Sequence, residues 1–236
     1  MKVKLYRLLR RLKNKFNRLL SSRMSQSNMY NKYIFTKIYE NDLFNRRSQN
    51  DNALSKSGSG SDLEQTREII RSLPTIFIKY DIKSILDLPC GDFYWMKHLD
   101  LTGIEYIGGD IVASVVKKNN ETFSKEGIKF MVINGIIDHL PKSDLVICRD
   151  LLVHLTDKQI HILLNNIRKS GSKYLLTTSF PNTVVNRINP TIGYWRPINL
   201  ELPPFNLTDP IDSIFENCSE ANGIYNDKHL LLYKLN

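Results

Sequence analysis

From residue 84 onward, short apolar, β-branched runs alternate with segments whose apolar residues recur three or four positions apart. The runs Ser84–Leu88, Glu105–Gly109, Lys129–Ile133, Asp144–Cys148 and Tyr174–Thr178 predict strands, and Phe93–Leu99, Val112–Lys125 and Asp157–Lys169 predict helices. Thr156 and Gln159 form a capping-box pair ahead of the last helix. Upstream, Ser61 with Glu64 has the same signature and predicts a helix through Glu68, Ile69, Ile70 and Leu73. Pro74 is expected to end or kink it, with Ile76–Tyr80 as its continuation. Downstream, Asp212–Glu216 and Leu230–Tyr233 flank Asn222-Gly223 and Asn226-Asp227, which predicts an antiparallel pair at the sheet edge. Strands separated by helix-length spacers predict an α/β fold, a mostly parallel sheet with helices on both faces. Between Ser179 and Pro210 six prolines interrupt any regular element, while Tyr194, Trp195, Arg196 and Phe205 supply large side chains. A long irregular segment inside a domain is more often functional than filler.

The first 23 residues carry a different rhythm. Leu5, Leu8, Leu9, Leu12, Phe16, Leu19 and Leu20 recur at helical spacing with Lys and Arg in the gaps, which predicts a basic amphipathic helix. Such a helix adsorbs to an anionic membrane surface, docks on an acidic partner, or packs on its own domain. The net charge of +9 resolves accordingly: residues 1–39 hold eleven Lys or Arg and no acid, and the remainder has 22 basic against 24 acidic residues. The basicity belongs to this extension, so no nucleic-acid partner is expected of the domain. No run of 18 uncharged apolar residues predicts a membrane span, and charges interrupt every candidate signal-peptide core. Three cysteines without metal-ligand spacing read as free thiols of a reducing compartment, hence a cytoplasmic location, with the basic helix as a route to the inner face of a membrane. The expected organisation is an extension over 1–40, a Ser/Gly-containing loop over 41–61 and a domain over 62–236.

The chemistry concentrates where the first strand hands over to the next segment, at Ser84-Ile85-Leu86-Asp87-Leu88-Pro89-Cys90-Gly91-Asp92. Strand–turn–helix junctions of this kind bind ligands at the carboxyl edge of a parallel sheet. Asp110 closes the next strand at the distance expected of a ribose-binding carboxylate. Pro89 and Phe93 stand where a pyrophosphate-binding turn needs glycines, which favours a ligand without phosphates, such as S-adenosylmethionine. A nicotinamide-nucleotide oxidoreductase or epimerase, and a non-catalytic protein that keeps the cofactor fold, are the rival readings. Asp150 and His154 lie on one face if Asp150 opens a helix, either as an oriented imidazole base or with Asp150 itself as base.

Over residues 62–236 the chain resembles the class I S-adenosylmethionine-dependent methyltransferases. Asp87–Phe93 is similar to their first motif, Asp110 to the ribose acid, Asn134-Gly135-Ile136 to the adenine contact, and Cys148-Arg149-Asp150 to the segment beside the methyl group. More narrowly it resembles a bacterial and viral group with a D-x-P-C-G-D-x-x-W-M motif, associated with modification of surface glycans. Ser57-Gly58-Ser59-Gly60-Ser61, Asp87 to Met96, Cys148-Arg149-Asp150-Leu151-Leu152-Val153-His154-Leu155, and Trp195-Arg196-Pro197 with Pro203-Pro204-Phe205 carry that likeness. The resemblance implies a Rossmann-like, doubly wound, seven-stranded sheet and O-methylation of a sugar or glycan precursor. It places Asp87, Pro89, Cys90, Gly91, Asp92, Trp95, Asp110, Ile111, Asn134, Gly135 and Arg149 at the cofactor, and Asp150 and His154 at the reaction. Tyr194, Trp195 and Arg196 are expected to meet the acceptor, the Ser/Gly run to act as lid or linker, and no metal is expected.

Overall fold

The computed structural model describes residues 10–12, 23–45, 55–189 and 191–235. The amphipathic helix expected over 1–23 lies outside the described residues except for 10–12 and Arg23, the first residue of α1. Four helices are described: α1 (Arg23–Glu40), α2 (Leu63–Lys79), α3 (Ala113–Phe123) and α4 (Asp157–Lys169). Seven strands are β1 (Ser84–Asp87), β2 (Glu105–Asp110), β3 (Ile128–Val132), β4 (Leu145–Cys148), β5 (Tyr174–Ser179), β6 (Asp212–Phe215) and β7 (His229–Lys234).

They form one sheet in the order β3-β2-β1-β4-β5-β7-β6. β1 to β5 pair in parallel, and β7 runs antiparallel between β5 and β6. This is the expected Rossmann-like, doubly wound architecture with its antiparallel pairing at one edge. Because strand side chains alternate between faces, neighbours in sequence serve opposite cores. Leu86, Val146, Cys148 and Leu175 pack with Ile160, Leu163 and Ile167 of α4. Ile85, Leu145, Ile147 and Leu176 pack on the other side with Ile69, Leu73, Ile76 and Phe77 of α2 and Val116 of α3.

Three local expectations are corrected. Phe93–Leu99 is not a helix: Phe93 adopts φ +58°, and only a 3-10 turn at Met96–His98 follows. An apolar run this short can be buried without helical geometry, and Phe93 packs edge-to-face against Phe130 at 5.1 Å. The N-cap of α2 is Asp62 rather than Ser61, without a side-chain capping bond, and the helix runs through Pro74 to Lys79. The capping box of Thr156 and Gln159 is formed.

The domain boundary also moves. Ile34, Phe35 and Ile38 of α1, and Leu43 after it, are buried in the same core as Leu88, Ile133 and Leu163. Residues 31–43 are therefore part of the domain and not an appendage. The irregular segment after β5 is packed as well. Asn199 Nδ2 donates to the carbonyls of Pro181 and Thr183, and Asn189 Nδ2 donates to those of Leu155 and Tyr194.

Candidate active site

The carboxyl ends of β1, β2 and β4 open into a crevice, as the sheet order requires at its switch point between β1 and β4. Asp87 ends β1 and is buried, accepting a 2.7 Å hydrogen bond from the Tyr106 hydroxyl of β2. Burial pushes its carboxyl up to about 7, against the opposing pull of the Tyr106 hydroxyl and the Arg149 charge. Asp110 ends β2 and accepts from the amides of Val112 at 2.9 Å and Gly91 at 3.2 Å. Burial raises it to about 6 despite those donors. Its bonds to Gly91 and Val112 tie the β1 turn to the start of α3.

The turn after Asp87 is fastened from below and covered from above. Asn119 of α3 donates to the Gly91 carbonyl at 2.7 Å. Gly91 has φ +53°, and a Cβ there would stand 2.2 Å from Ser57 Oγ and 3.1 Å from the Tyr39 hydroxyl. Only glycine fits that conformation and that close approach. Cys90 beside it is a buried thiol pushed well above its ordinary range by burial, which suits packing and not nucleophilic use.

Asp92 faces away from the crevice floor. Its carboxylate accepts from Ser55 Oγ, the Lys56 amide and Ser57 Oγ, at 2.7 to 3.1 Å. The Ser/Gly segment is thereby folded across the β1 turn instead of spanning open space as a linker. Further along, Ser59 Oγ donates to Glu220, and the Gly60 carbonyl accepts from Arg149 at 2.7 Å. Tyr39 of α1 joins the cover through a 2.8 Å contact with Ser57 Oγ.

Beside Ile111 a small apolar pocket, open to solvent, lies between the loop after β3 and α1. Leu88, Pro89, Ile111, Ile133, Asn134, Gly135 and Ile136 line it, and Asn31 and Phe35 of α1 supply a wall. The 134–138 loop keeps its shape through the Ile136 amide, which donates to Asn134 Oδ1, and through Asn166 of α4, which donates to Gly135.

At the end of β4 sits a charge cluster. Arg149 Nη2 pairs with Glu216 at 2.7 Å, and Arg149 Nη1 stands 3.3 Å from Asp150. Lys228 Nζ pairs with Asp150 Oδ2 at 2.6 Å and with Glu216 at 3.2 Å. Trp95 lies beneath the Arg149 guanidinium, 5.9 Å from ring centroid to Cζ. Burial opposes ionisation of Asp150, but the Lys228 and Arg149 charges outweigh it and hold the carboxyl down at about 2. Asp150 has φ +55° and is followed by a 3-10 turn over Leu152–His154, so the helical i, i+4 pairing with His154 is not the geometry present. His154 is buried, its ring 5.3 Å from that of Phe44.

The loop residues divide. Trp195 packs on Tyr225 with centroids 4.5 Å apart, and Tyr194 is half-buried against the same core. Arg196 is turned inward: it is buried, donates to the Leu155 carbonyl at 2.9 Å, and pairs with Asp157 at the start of α4. That guanidinium anchors the loop to α4 instead of presenting itself to an acceptor.

Sequence reasoning missed Asn31, Phe35, Tyr39, Tyr106, Glu216, Glu220, Tyr225 and Lys228. Among the described residues no cluster of three His, Cys, Asp or Glu is arranged to hold a metal ion.

Comparison with known proteins agrees with this geometry. Residues 85–171 match the methyltransferase domain family. None of the curated proteins matches the chain. Among solved structures, it is similar to the N-methyltransferase NodS from Bradyrhizobium japonicum WM9 in complex with S-adenosyl-L-homocysteine, with a TM-score of 0.60. The identity is 13%, over 85% of this chain and 97% of that one. TehB from Haemophilus influenzae is similar at a TM-score of 0.51 and 17% identity, over 70% of this chain and 62% of that one. At these identities the likeness is one of fold.

Proposed function

We propose that the chain transfers the methyl group of S-adenosylmethionine to a hydroxyl of a sugar or glycan precursor. The observation that carries the reading is that Asp87 and Asp110 end neighbouring strands, the residues after them, Leu88, Pro89 and Ile111, line an apolar pocket, and all lie inside the segment that matches a methyltransferase domain.

The residues fit an adenosyl cofactor. The cavity walls of Leu88, Ile111, Ile133 and Ile136 suit a flat purine, and the Asn134–Ile136 loop offers polar groups at its edge. Asp110 accepts from the Gly91 and Val112 amides, with the Ile111 amide also bearing on it, and an ionised carboxylate accepts about four hydrogen bonds, so room remains for a ribose hydroxyl. In this reading Asp87 falls at the methionine end, just before the Gly91 turn that Ser57 and Tyr39 cover. When bound, the cofactor supplies an electrophilic methyl group on a sulfonium, open to in-line displacement.

The chain's own part is alignment and exclusion of water. The Ser55–Ser61 segment covers the crevice, fastened by Asp92 at one end and by Glu220 and Arg149 at the other. Asp150 meets the acceptor hydroxyl as a hydrogen-bond acceptor. Held down at about 2, it orients the hydroxyl without keeping the proton, which passes to solvent as the oxygen takes the methyl group and the sulfonium leaves as a neutral thioether. Trp195 and Tyr225 offer ring faces for a sugar. With Arg149 and Arg196 engaged in ion pairs, the reading favours a neutral hydroxyl over an anionic acceptor group.

Residues 1–23, with their basic amphipathic sequence, fit adsorption to an anionic membrane surface or an acidic partner. Among the described residues no helix is long and apolar enough to cross a membrane. The direct test of the cofactor is calorimetry with S-adenosylmethionine and S-adenosylhomocysteine. Binding in the micromolar range, lost in Asp110→Ala, is expected; a folded chain that binds neither would sink the reading. The acceptor class is tested by transfer of a labelled methyl group to glycan precursors.

A further inference from the structure

Four charged side chains converge at the ends of β4, β6 and β7, and three of them are almost sealed from solvent. Arg149 and Lys228 are each 4% exposed, Glu216 is 1% exposed, and Asp150 is 27% exposed. The cluster therefore exposes one group, the Asp150 carboxylate, which lies beneath Gly60 of the Ser/Gly segment. Its two oxygens are not equivalent. Oδ2 takes both cations, Lys228 at 2.6 Å and Arg149 at 3.3 Å. Oδ1 has a long 3.4 Å contact with the Thr178 hydroxyl, whose oxygen in turn accepts from the Asp150 amide at 2.9 Å.

Lys228 cannot wander from this position. Glu216 holds its ammonium at 3.2 Å and is itself held by Arg149, so the three form a closed chain of ion pairs behind Asp150. Buried pairs of this kind seldom add stability over an apolar core, so their retention asks for another reason. The backbone of Asp150, at φ +55°, fixes the direction from which its carboxylate enters the crevice.

We propose that Lys228 is a positioning residue of the acceptor site: seated on Glu216, it engages Asp150 Oδ2, keeps that carboxylate anionic and leaves Oδ1 aimed at the acceptor hydroxyl. This rests on the reading of Asp150 as the group that meets the acceptor. The charges that face Asp150 are Arg149 beside it on the β4 end, Lys228 ahead of β7, Glu216 at the end of β6, Glu220 in the turn beyond, and His154 in the following 3-10 turn. Of these, Lys228 makes the shortest contact, so it decides the ionisation state.

The experiment is a carbon-13 NMR titration of Asp150 Cγ in the full chain, labelled at aspartate and assigned by the signal lost in Asp150→Asn. In the wild type the carboxyl should stay ionised to the lowest pH at which the chain remains folded. In Lys228→Met its midpoint should rise by about 1–3 pH units. If that variant does not fold, Lys228→Met combined with Glu216→Gln removes one cation and one anion together, and a smaller rise in the same direction is expected, because losing the nearby Glu216 anion offsets part of it. An unshifted midpoint in a folded variant, or a wild-type midpoint near the ordinary carboxyl value, overturns the inference. Calorimetry with S-adenosylmethionine on the same samples separates the two claims. Intact cofactor binding with an unshifted Asp150 strikes the role of Lys228 alone, whereas a wild type that binds no cofactor strikes the methyltransferase reading itself.

Discussion

Replacing Asp87 with Asn should stabilise the fold, and by an amount that grows with pH. The side chain is 2% exposed, and its carboxyl titrates at about 7 instead of 3.8 because burial disfavours the charge. In sign, a folded state that holds its proton more tightly than the unfolded chain loses stability as pH rises between the two values. Full ionisation above pH 7 thus costs about 4 kcal/mol relative to a normally titrating Asp. Asn keeps a carbonyl oxygen for the Tyr106 hydroxyl, now 2.7 Å from Asp87 Oδ2, and carries no charge. The stability difference between Asp87→Asn and wild type should therefore grow in favour of Asn by about 3 kcal/mol from pH 5 to pH 8. Urea unfolding at the two pH values measures it without a cofactor present. A difference that stays constant across that range would refute the claim that burial governs this carboxyl.

Other consequences are open to simple assays. Since a cationic ligand favours ionised Asp87, binding of S-adenosylmethionine at pH 6.5–7 should release protons, seen as a dependence of calorimetric heat on buffer ionisation; no such dependence would contradict the assignment. Asp92→Ala removes the acceptor for Ser55, Lys56 and Ser57, so limited proteolysis within 55–61 should accelerate at least several-fold with a stability loss of about 1–3 kcal/mol. Gly91→Ala should displace the same cover, and Ser57→Ala in that background should restore only part of the loss, because the φ of +53° remains. Arg196→Ala breaks a buried ion pair and should lower stability by about 3 kcal/mol, while cofactor affinity measured below the melting temperature stays near wild type.

The alternating strands were legible because both faces of the sheet are buried, so each central strand reads as a continuous apolar run. Asp87 and Asp110 were legible for a related reason: a parallel strand ends at the ligand, and an acid at that end breaks an otherwise apolar pattern. The contribution of α1 was hidden. Ile34, Phe35 and Ile38 lie in a stretch whose basic charge draws it toward the extension, and nothing local says that they close the cavity of Leu88 and Ile133. Phe93 misled in another way, since apolar density without length suits a buried turn as well as a helix. The charge cluster had no local signal at all. Lys228 is 78 positions from Asp150, and Glu216 is 67 from Arg149; only the return of β7 between β5 and β6 brings them together.

Three aspartates end three neighbouring strands or stand just beyond them, yet they divide into two raised by burial and one held down by cations. Asp87 and Asp110 have neutral donors, a phenol and backbone amides, and burial raises them to about 7 and about 6. Asp150 has Lys228 and Arg149 within 3.3 Å and stays near 2. The chain thus places Lys228 and Arg149 in direct contact with Asp150, whereas Asp87 feels Arg149 only at a distance and the bonds named for Asp110 are all from backbone amides. A cationic sulfonium cofactor would provide for Asp87 what Lys228 provides for Asp150, and so would bind a crevice already short of positive charge. The same distribution disfavours a nicotinamide dinucleotide, whose pyrophosphate would bring negative charge toward two buried acids without a cation beside the turn to receive it. Placing a cation on the pocket wall, as in Ile111→Lys, should therefore weaken S-adenosylmethionine binding by more than the uncharged Ile111→Met does. Equal losses in the two variants would mean that shape alone, and not charge, selects the ligand.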